Sequence, residues 1–375
     1  MKKKILITVV LILLILAGTA VVFKDDIQNW FFRPTESNIE AGIKEALKDE
    51  VSIYAEKLDT PWSMTFLPNN DMLLTERSGN VKRLGQDGKT FPIAGVRETS
   101  EGGLLGIVLD PEFEQNDRLY LYMTTEQSGQ LENRIDTYAL KDDQLTYQQT
   151  ILAGIPAASN HNGGGIAFGP DGKLYVTTGD AAQDHLAQDK NSLAGKILRL
   201  NKDGSVPADN PFGNYVWSYG HRNPQGIAWD EQGRMWSVEH GPSGFGGTGQ
   251  DELNLIEKAA NYGWPTVTGD KTAQDMREPV IHSGPSETWA PAALVYYDGS
   301  LYFAGLRGQS LYQAKINDDA SVSLMRHFSG LYGRLRAVAR NDQNLFFSTS
   351  NRDGRGSPAD NDDRIIKIQA AIFNP

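Results

Sequence analysis

One unit recurs along this chain: a polar turn, an alternating aromatic or aliphatic run, then another polar turn. It reads Asn70-Asp71-Met72-Leu73-Leu74-Thr75-Glu76-Arg77, then Asn116-Asp117-Arg118-Leu119-Tyr120-Leu121-Tyr122-Met123, then Asp171-Gly172-Lys173-Leu174-Tyr175-Val176-Thr177. Weaker copies begin at Gln232, Asp298 and Asp342. Alternation between turn residues is the pattern of a strand with one buried face. Several copies lead into a second such run, at 81–84, 197–200, 311–316 and 365–368. The copies stand roughly 45 to 65 residues apart, the interval of four-stranded blades joined by loops of variable length. Six copies predict an all-β fold, a six-bladed β-propeller of four-stranded antiparallel blades occupying residues 53–375. The competing architecture is a sandwich with several Asp-Gly hairpins. In a propeller, ligands sit over the central channel on loops remote from one another in sequence.

The N-terminus carries a different signal. Lys2-Lys3-Lys4 precede an apolar run from Ile5 to Phe23, which is closed by Lys24-Asp25-Asp26. This is near the length that spans a bilayer and exceeds a usual signal-peptide core. An uncleaved anchor over residues 1–23 is the expectation; a signal peptide cut near Gly18-Thr19-Ala20 is the alternative. Positive charge before the span places the remainder outside the cytoplasm, membrane-anchored or, after cleavage, secreted. Residues 24–52 read as a linker or stalk, with a short amphipathic helix over 39–47.

Composition removes several functions. There is no cysteine, which excludes disulfides, zinc thiolate sites and thiol nucleophiles. A net charge of -11 makes nucleic acid and anionic lipid surfaces poor partners. The membrane is then met only through the N-terminal segment.

Four stretches combine glycine with polar groups. The first is Glu101-Gly102-Gly103-Leu104-Leu105-Gly106. The second is Ser159-Asn160-His161-Asn162-Gly163-Gly164-Gly165, where glycines let backbone approach a ligand and His161 can serve as a general base. The third, Tyr219-Gly220-His221-Arg222-Asn223-Pro224-Gln225-Gly226, offers a fixed cation beside an amide, able to hold a carboxylate or quinone oxygen. The fourth runs from Glu239-His240-Gly241-Pro242 through Asp251-Glu252 to Asn261-Tyr262-Gly263-Trp264-Pro265, whose carboxylates and carbonyls are hard oxygen donors suited to calcium. No EF-hand spacing is present, and Asp251 could equally cap a helix ahead of Leu253. Arg307 and the pair Arg334 and Arg336 could together clamp an anion. The remaining histidines, His185, His282 and His327, lack such surroundings and read as surface or structural residues.

Taken in order, these stretches, with Pro61-Trp62-Ser63-Met64, resemble the glucose/sorbosone dehydrogenase family, in particular its soluble aldose sugar dehydrogenases dependent on pyrroloquinoline quinone (PQQ). The resemblance covers roughly residues 55 to 368 and implies the same six-bladed propeller that the repeat count predicts. It implies that His161 is the catalytic base and that Arg222 and Asn223 contact PQQ, with Arg222 stabilising the reduced quinone oxygen. Gly241 and Pro242 would give backbone carbonyls to a calcium that also binds PQQ. Arg307, Arg334 and Arg336 would meet the PQQ carboxylates, and Glu101 would contact PQQ or substrate. Glu252 and Tyr262, with Asp270 and Glu287, would hold a second, structural calcium. This chain departs from the family at Glu101 (a glutamine in its best-known members), at Asn160, at Gly165 and at Ala337. The implied activity is oxidation of an aldose sugar at its anomeric carbon to the lactone, with electrons passed to an external acceptor. The rival classes are a calcium-dependent propeller lactonase and a non-catalytic extracellular sugar-binding propeller.

Overall fold

The computed structural model describes residues 34–35, 37–45, 49–85, 88–242 and 249–373. The anchor or signal segment expected over 1–23 lies outside the described residues. Six separate sheets are arranged as blades around a channel. Blade 1 comprises Pro61–Phe66, Met72–Glu76, Asn80–Leu84 and Lys89–Pro92. Blade 2 comprises Leu104–Leu109, Arg118–Gln127, Gln130–Lys141 and Gln144–Pro156. Blade 3 comprises Ile166–Phe168, Leu174–Thr178, Lys196–Leu200 and Val216–Tyr219. Blade 4 comprises Pro224–Trp229, Met235–Glu239, Glu252–Ile256 and Ile281–His282. Blade 5 comprises Pro291–Tyr297, Ser300–Gly305, Ser310–Ile316 and Val322–His327. Blade 6 comprises Leu335–Arg340, Asn344–Thr349 and Ile365–Gln369, and takes its outer strand, Val51–Ala55, from the other end of the chain. The expected propeller is therefore the fold, and each of the six sequence repeats is the second strand of its blade.

The alternation that marked those repeats buries both faces. Each blade packs against its two neighbours, so apolar clusters fill every gap around the ring. Leu73, Leu119 and Leu121 lie between blades 1 and 2, and Tyr122, Val176 and Leu198 between blades 2 and 3. Tyr175, Ile197 and Met235 fill the next gap, then Trp236, Leu301 and Phe303. Tyr302, Leu311 and Phe347 join blades 5 and 6, and Met72, Leu74 and Phe346 close the ring. Burial of side chains of this size is the main source of stability in such a ring, at about 25 cal/mol per Å² of apolar surface.

The channel is lined by one apolar residue or more from each innermost strand, among them Trp62, Ile107, Ile166, Ile227, Leu294 and Val338. In five of the six blades the pairing of the innermost strand with the next has a register shift at the end where the innermost strand begins. An extra residue there bends the strand and re-aims a side chain. Trp62, Gln225 and Arg336 all fall inside such shifts, which directs attention to that face.

The segment expected as a stalk has a described part that packs on the propeller. Glu40–Ala41 pairs in parallel with the outer strand of blade 5, making that sheet five-stranded. Thr35 Oγ1 accepts the Thr288 amide, and the amides of Gly42 and Ile43 donate to Arg326 O and to His327 Nδ1. The helix expected over 39–47 is not formed in its described residues, because this pairing extends the backbone and lets Ile43 pack on the apolar cluster between blades 5 and 6.

Candidate active site

The loop 157–165 carries the chain from the outer strand of blade 2 to the innermost strand of blade 3. Its glycines are forced by close backbone approach: a Cβ on Gly165 would lie 1.7 Å from the Gln225 carbonyl oxygen, and one on Gly163 2.5 Å from that of Thr177. The family's arginine after these glycines would have no room at Gly165 in this backbone. Asn162 is a staple, its carboxamide bonded to Ala158 and Asn133.

His161 adopts a left-handed backbone, φ 58°, which costs a non-glycine residue roughly 1–2 kcal/mol and needs support. Three contacts supply it. The amide donates to Glu101 Oε2 at 3.0 Å, the carbonyl accepts from the Ala181 amide at 3.2 Å, and Nδ1 lies 2.7 Å from Asp180 Oδ1. Asp180 is buried and also accepts from the Ala182 amide and the Trp264 indole N–H. A carboxylate can only accept, so Nδ1 carries a proton, and in the neutral imidazole the lone pair is on Nε2. His161 is thus held as a base, with its side chain 14% exposed.

The turn before blade 4 sets Arg222 and Asn223. Both are buried. Asn223 Oδ1 accepts the Gly163 amide at 3.0 Å, tying this turn to the His161 loop. Arg222 lies over the Trp264 ring at 5.3 Å and donates through Nη1 to His240 O, while its amide is held by Glu239. Burial holds its guanidinium below the usual arginine range, and its Nε has no partner. Two neighbours share that condition: Gln225 Oε1 and His240 Nε2 are buried and unpartnered. Burial, reinforced by Arg222 and Arg336 and opposed by Glu101, pushes the His240 imidazole down to about 3, so it is neutral.

Arg334 and Arg336 begin the innermost strand of blade 6, both buried. Arg336 stacks over Trp62 at 5.8 Å and reaches Ser350 Oγ at 3.4 Å. Burial, with Arg77 and Arg334 adding repulsion, pushes it down to about 9 despite Asp353. Arg334 is already neutralised by Asp353, through Nε and Nη2 at 3.0 and 2.9 Å. Arg307 is half-buried, with Asp251 and Arg334 among the charges that act on it.

The metal-binding expectations divide. Asp251 precedes a strand, not the helix it could have capped; it is buried and accepts the amides of Gly241, Trp289 and Ala290. It therefore fixes the Gly241-Pro242 turn beside Arg222. Glu252 faces Glu239, and burial together with that charge pushes its carboxyl up to about 8. The Tyr262 hydroxyl donates to Leu255 O and accepts from the Glu257 amide, and its ring stacks on His221 at 4.6 Å. Asp270 is 85% exposed and pairs with His282, and Glu287 accepts the Trp289 indole N–H. Among the described residues no three His, Asp or Glu side chains converge as a metal cluster. Glu252, Tyr262, Asp270 and Glu287 thus each have a partner within the protein, and their grouping around a second calcium stays a proposal. Glu101 accepts the His161 amide with one oxygen and Arg355 Nη1, at 2.9 Å, with the other.

Sequence reading missed Asp180, Trp264, Arg355 and Asp353. One signal could have found Asp180. Every repeat strand ends at this face, and an acidic residue at or just past that end can reach the site: Asp180 bonds His161, and Glu239 holds the Arg222 amide. His327, expected at the surface or in a structural role, is buried, with Nε2 near Gln313 Oε1 at 3.0 Å.

The fold and this site define a class: a six-bladed propeller with a histidine–carboxylate pair and a group of buried arginines where the innermost strands begin. The chain belongs to the Glucose / Sorbosone dehydrogenase family, whose sequence pattern matches residues 58–359. It is similar to aldose sugar dehydrogenase YliI of Escherichia coli (strain K12), with 38% identity over 58% of this chain and 62% of that protein. It is similar also to quinoprotein glucose dehydrogenase B of Acinetobacter calcoaceticus, with 33% identity over 58% of this chain and 53% of the other. The matches thus span rather more than half the length of these two relatives. Among solved structures, the PQQ-bound form of aldose sugar dehydrogenase from Streptomyces coelicolor superposes with a TM-score of 0.79 at 37% identity, covering 85% of this chain and 97% of that one. Family and neighbours identify a sugar dehydrogenase.

Proposed function

We propose that this protein is a PQQ- and calcium-dependent oxidoreductase that converts aldose sugars to lactones and passes the electrons to an external acceptor. The observation that carries the reading is the trio of buried, unpartnered polar atoms, Arg222 Nε, Gln225 Oε1 and His240 Nε2, in one site with His161. Such atoms cost free energy unless a ligand pairs them. An unpartnered arginine donor and a neutral imidazole, with the buried cations Arg222 and Arg336, fit a flat tricarboxylic quinone, and the Trp62 and Trp264 rings, each already facing an arginine, bound the same region. The Gly241-Pro242 turn, braced by Asp251, is the place where backbone carbonyls would hold calcium beside that quinone. Bound there, PQQ supplies a two-electron acceptor and calcium a Lewis acid.

The chain's own residues do the rest. His161 Nε2 takes the proton of the anomeric hydroxyl as the anomeric hydrogen leaves with its electron pair, forming the lactone carbonyl. Asp180 stabilises the imidazolium that results. Arg222, Arg336 and Arg307 set a positive potential where negative charge must be accommodated. The anchor and extracytoplasmic location belong to the same proposal, since a periplasmic or surface enzyme can meet both sugar and acceptor.

Titrating the purified full chain with PQQ and calcium, then following dye reduction across an aldose panel, tests the reading. Quinone binding with sugar-dependent reduction is expected. Lactone hydrolysis without quinone binding would overturn it in favour of a lactonase.

A further inference from the structure

A run of contacts crosses this face from blade 6 to the His161 loop. Arg334 donates to Asp353 Oδ2, while Asp353 Oδ1 accepts the amide of Arg355 at 2.9 Å. The Arg355 side chain reaches over to Glu101 Oε1 at 2.9 Å and Ser100 Oγ at 3.1 Å. Glu101 Oε2 then takes the His161 amide at 3.0 Å, and the Glu101 amide donates to Ser159 O at 2.8 Å within the same loop.

We infer that Arg355 is a positioning residue for His161, acting through Glu101. The inference rests on the reading of His161 as the base. Glu101 is half-buried, at 21% side-chain exposure, and its charge needs a partner. Burial works to raise its carboxyl, but Arg355 first and then the His161 amide lower it, to about 2. Arg222 and Arg336 are also among the charges it acts on, and both are fixed elsewhere, by His240 O and by Ser350 with the Trp62 ring. Arg355 alone among these cations bonds its carboxylate. A neutral amide accepting the His161 N–H would need no cation. This chain has a carboxylate there and supplies the cation from another blade.

The test is a double-mutant cycle in the full chain: Arg355→Gln, Glu101→Gln and the pair. In the PQQ-loaded protein, Arg355→Gln is expected to lower kcat tenfold or more with KM little changed. It should also add an acid limb to the kcat/KM profile as Glu101 titrates at higher pH. In the Glu101→Gln background the same substitution should change kcat less than twofold, because an amide needs no counter-charge. An equal loss in both backgrounds, or an unchanged pH profile, overturns the inference. Melting temperature provides a readout independent of quinone chemistry. A carboxyl depressed in the folded state stabilises above its unfolded value and loses that contribution as pH falls. The gap between the unmodified protein and Arg355→Gln should therefore be full above pH ~5, close toward pH ~2, and vanish with Glu101→Gln. A chain that lacks PQQ-dependent turnover but keeps this thermal coupling would defeat the dehydrogenase reading and leave the Arg355–Glu101 contact standing; absent thermal coupling defeats the contact itself.

Discussion

Asp180 Oδ1 and His161 Nδ1 stand 2.7 Å apart, although they belong to opposite ends of the first hairpin of blade 3. The second oxygen of Asp180 takes the indole N–H of Trp264, at 2.9 Å. The carboxylate therefore cannot turn away from the imidazole without losing a buried partner. Asp180→Asn is expected to lower kcat by about a hundredfold or more, since an amide can offer its NH₂ to Nδ1 and select the other tautomer. His161→Gln should lose a comparable factor, and both variants should retain quinone binding in an absorbance titration. Near-normal turnover in either one would remove the base from its assignment.

Arg336 is a buried cation stacked on Trp62, with its charge already weakened by burial and by other arginines. An anion bound beside it relieves that cost. Arg336→Gln is expected to weaken PQQ binding at least tenfold, and Arg336→Lys to recover little of it, because an ammonium neither stacks nor forks. Equilibrium titration with PQQ, read by intrinsic tryptophan quenching, measures both.

Lys196 is fully buried, yet its ammonium meets three carbonyls, those of Leu186, Ala187 and Ala194, at 2.8, 2.9 and 2.5 Å. It fastens the short helix Asp184–Ala187, next to the Gln188 that bonds Trp264 O. Lys196→Met would strip the side-chain donor from all three carbonyls, of which Leu186 O and Ala187 O keep a backbone amide, a loss of about 1–3 kcal/mol. A lowered urea midpoint at unchanged m-value is the expected result; an unchanged midpoint contradicts it.

His327 accepts the Ile43 amide at Nδ1, and burial pushes its imidazole down to about 4. The folded chain then binds fewer protons than the unfolded chain between pH 4 and the ordinary value near 6.5. Stability from this group is present above about 6.5 and is lost as pH falls toward 4, by on the order of 3 kcal/mol. Replacing His327 with Gln should flatten the acid side of the melting curve against pH, and the Gly42–Ile43 backbone should exchange its amides faster at pH 5 than at pH 7.

The blades were legible because a strand buried on both faces is apolar along most of its length, and Asp-Gly or Asn-Asp turns mark where it starts. Blade 6 was less legible, since no local pattern says that Val51–Ala55 pairs with a strand from the far end of the chain. In the site, His161, Arg222 and Arg336 could be read because glycine or paired arginines crowd around them. Arg355 could not: an arginine in a polar loop looks like an ordinary turn residue until the ring brings it to Glu101. The proposed metal set is the complementary case. Tyr262, Asp270 and Glu287 are oxygen-bearing residues at plausible places, but their nearest partners are a carbonyl, a histidine and an indole.

Blade 6 pairs Val51 with Ile368 and Ser52 with Lys367. During synthesis, then, the earliest strand of the ring waits for the last. Until Ile365–Gln369 leaves the ribosome, Val51–Ala55 has no neighbour and the blade 1 side of the cluster around Met72 and Ile365 has nothing to close on. The ring can commit to its final form only after the whole chain is made. A message truncated before residue 365 would yield two raw sheet edges prone to pairing with other chains, and not a smaller propeller.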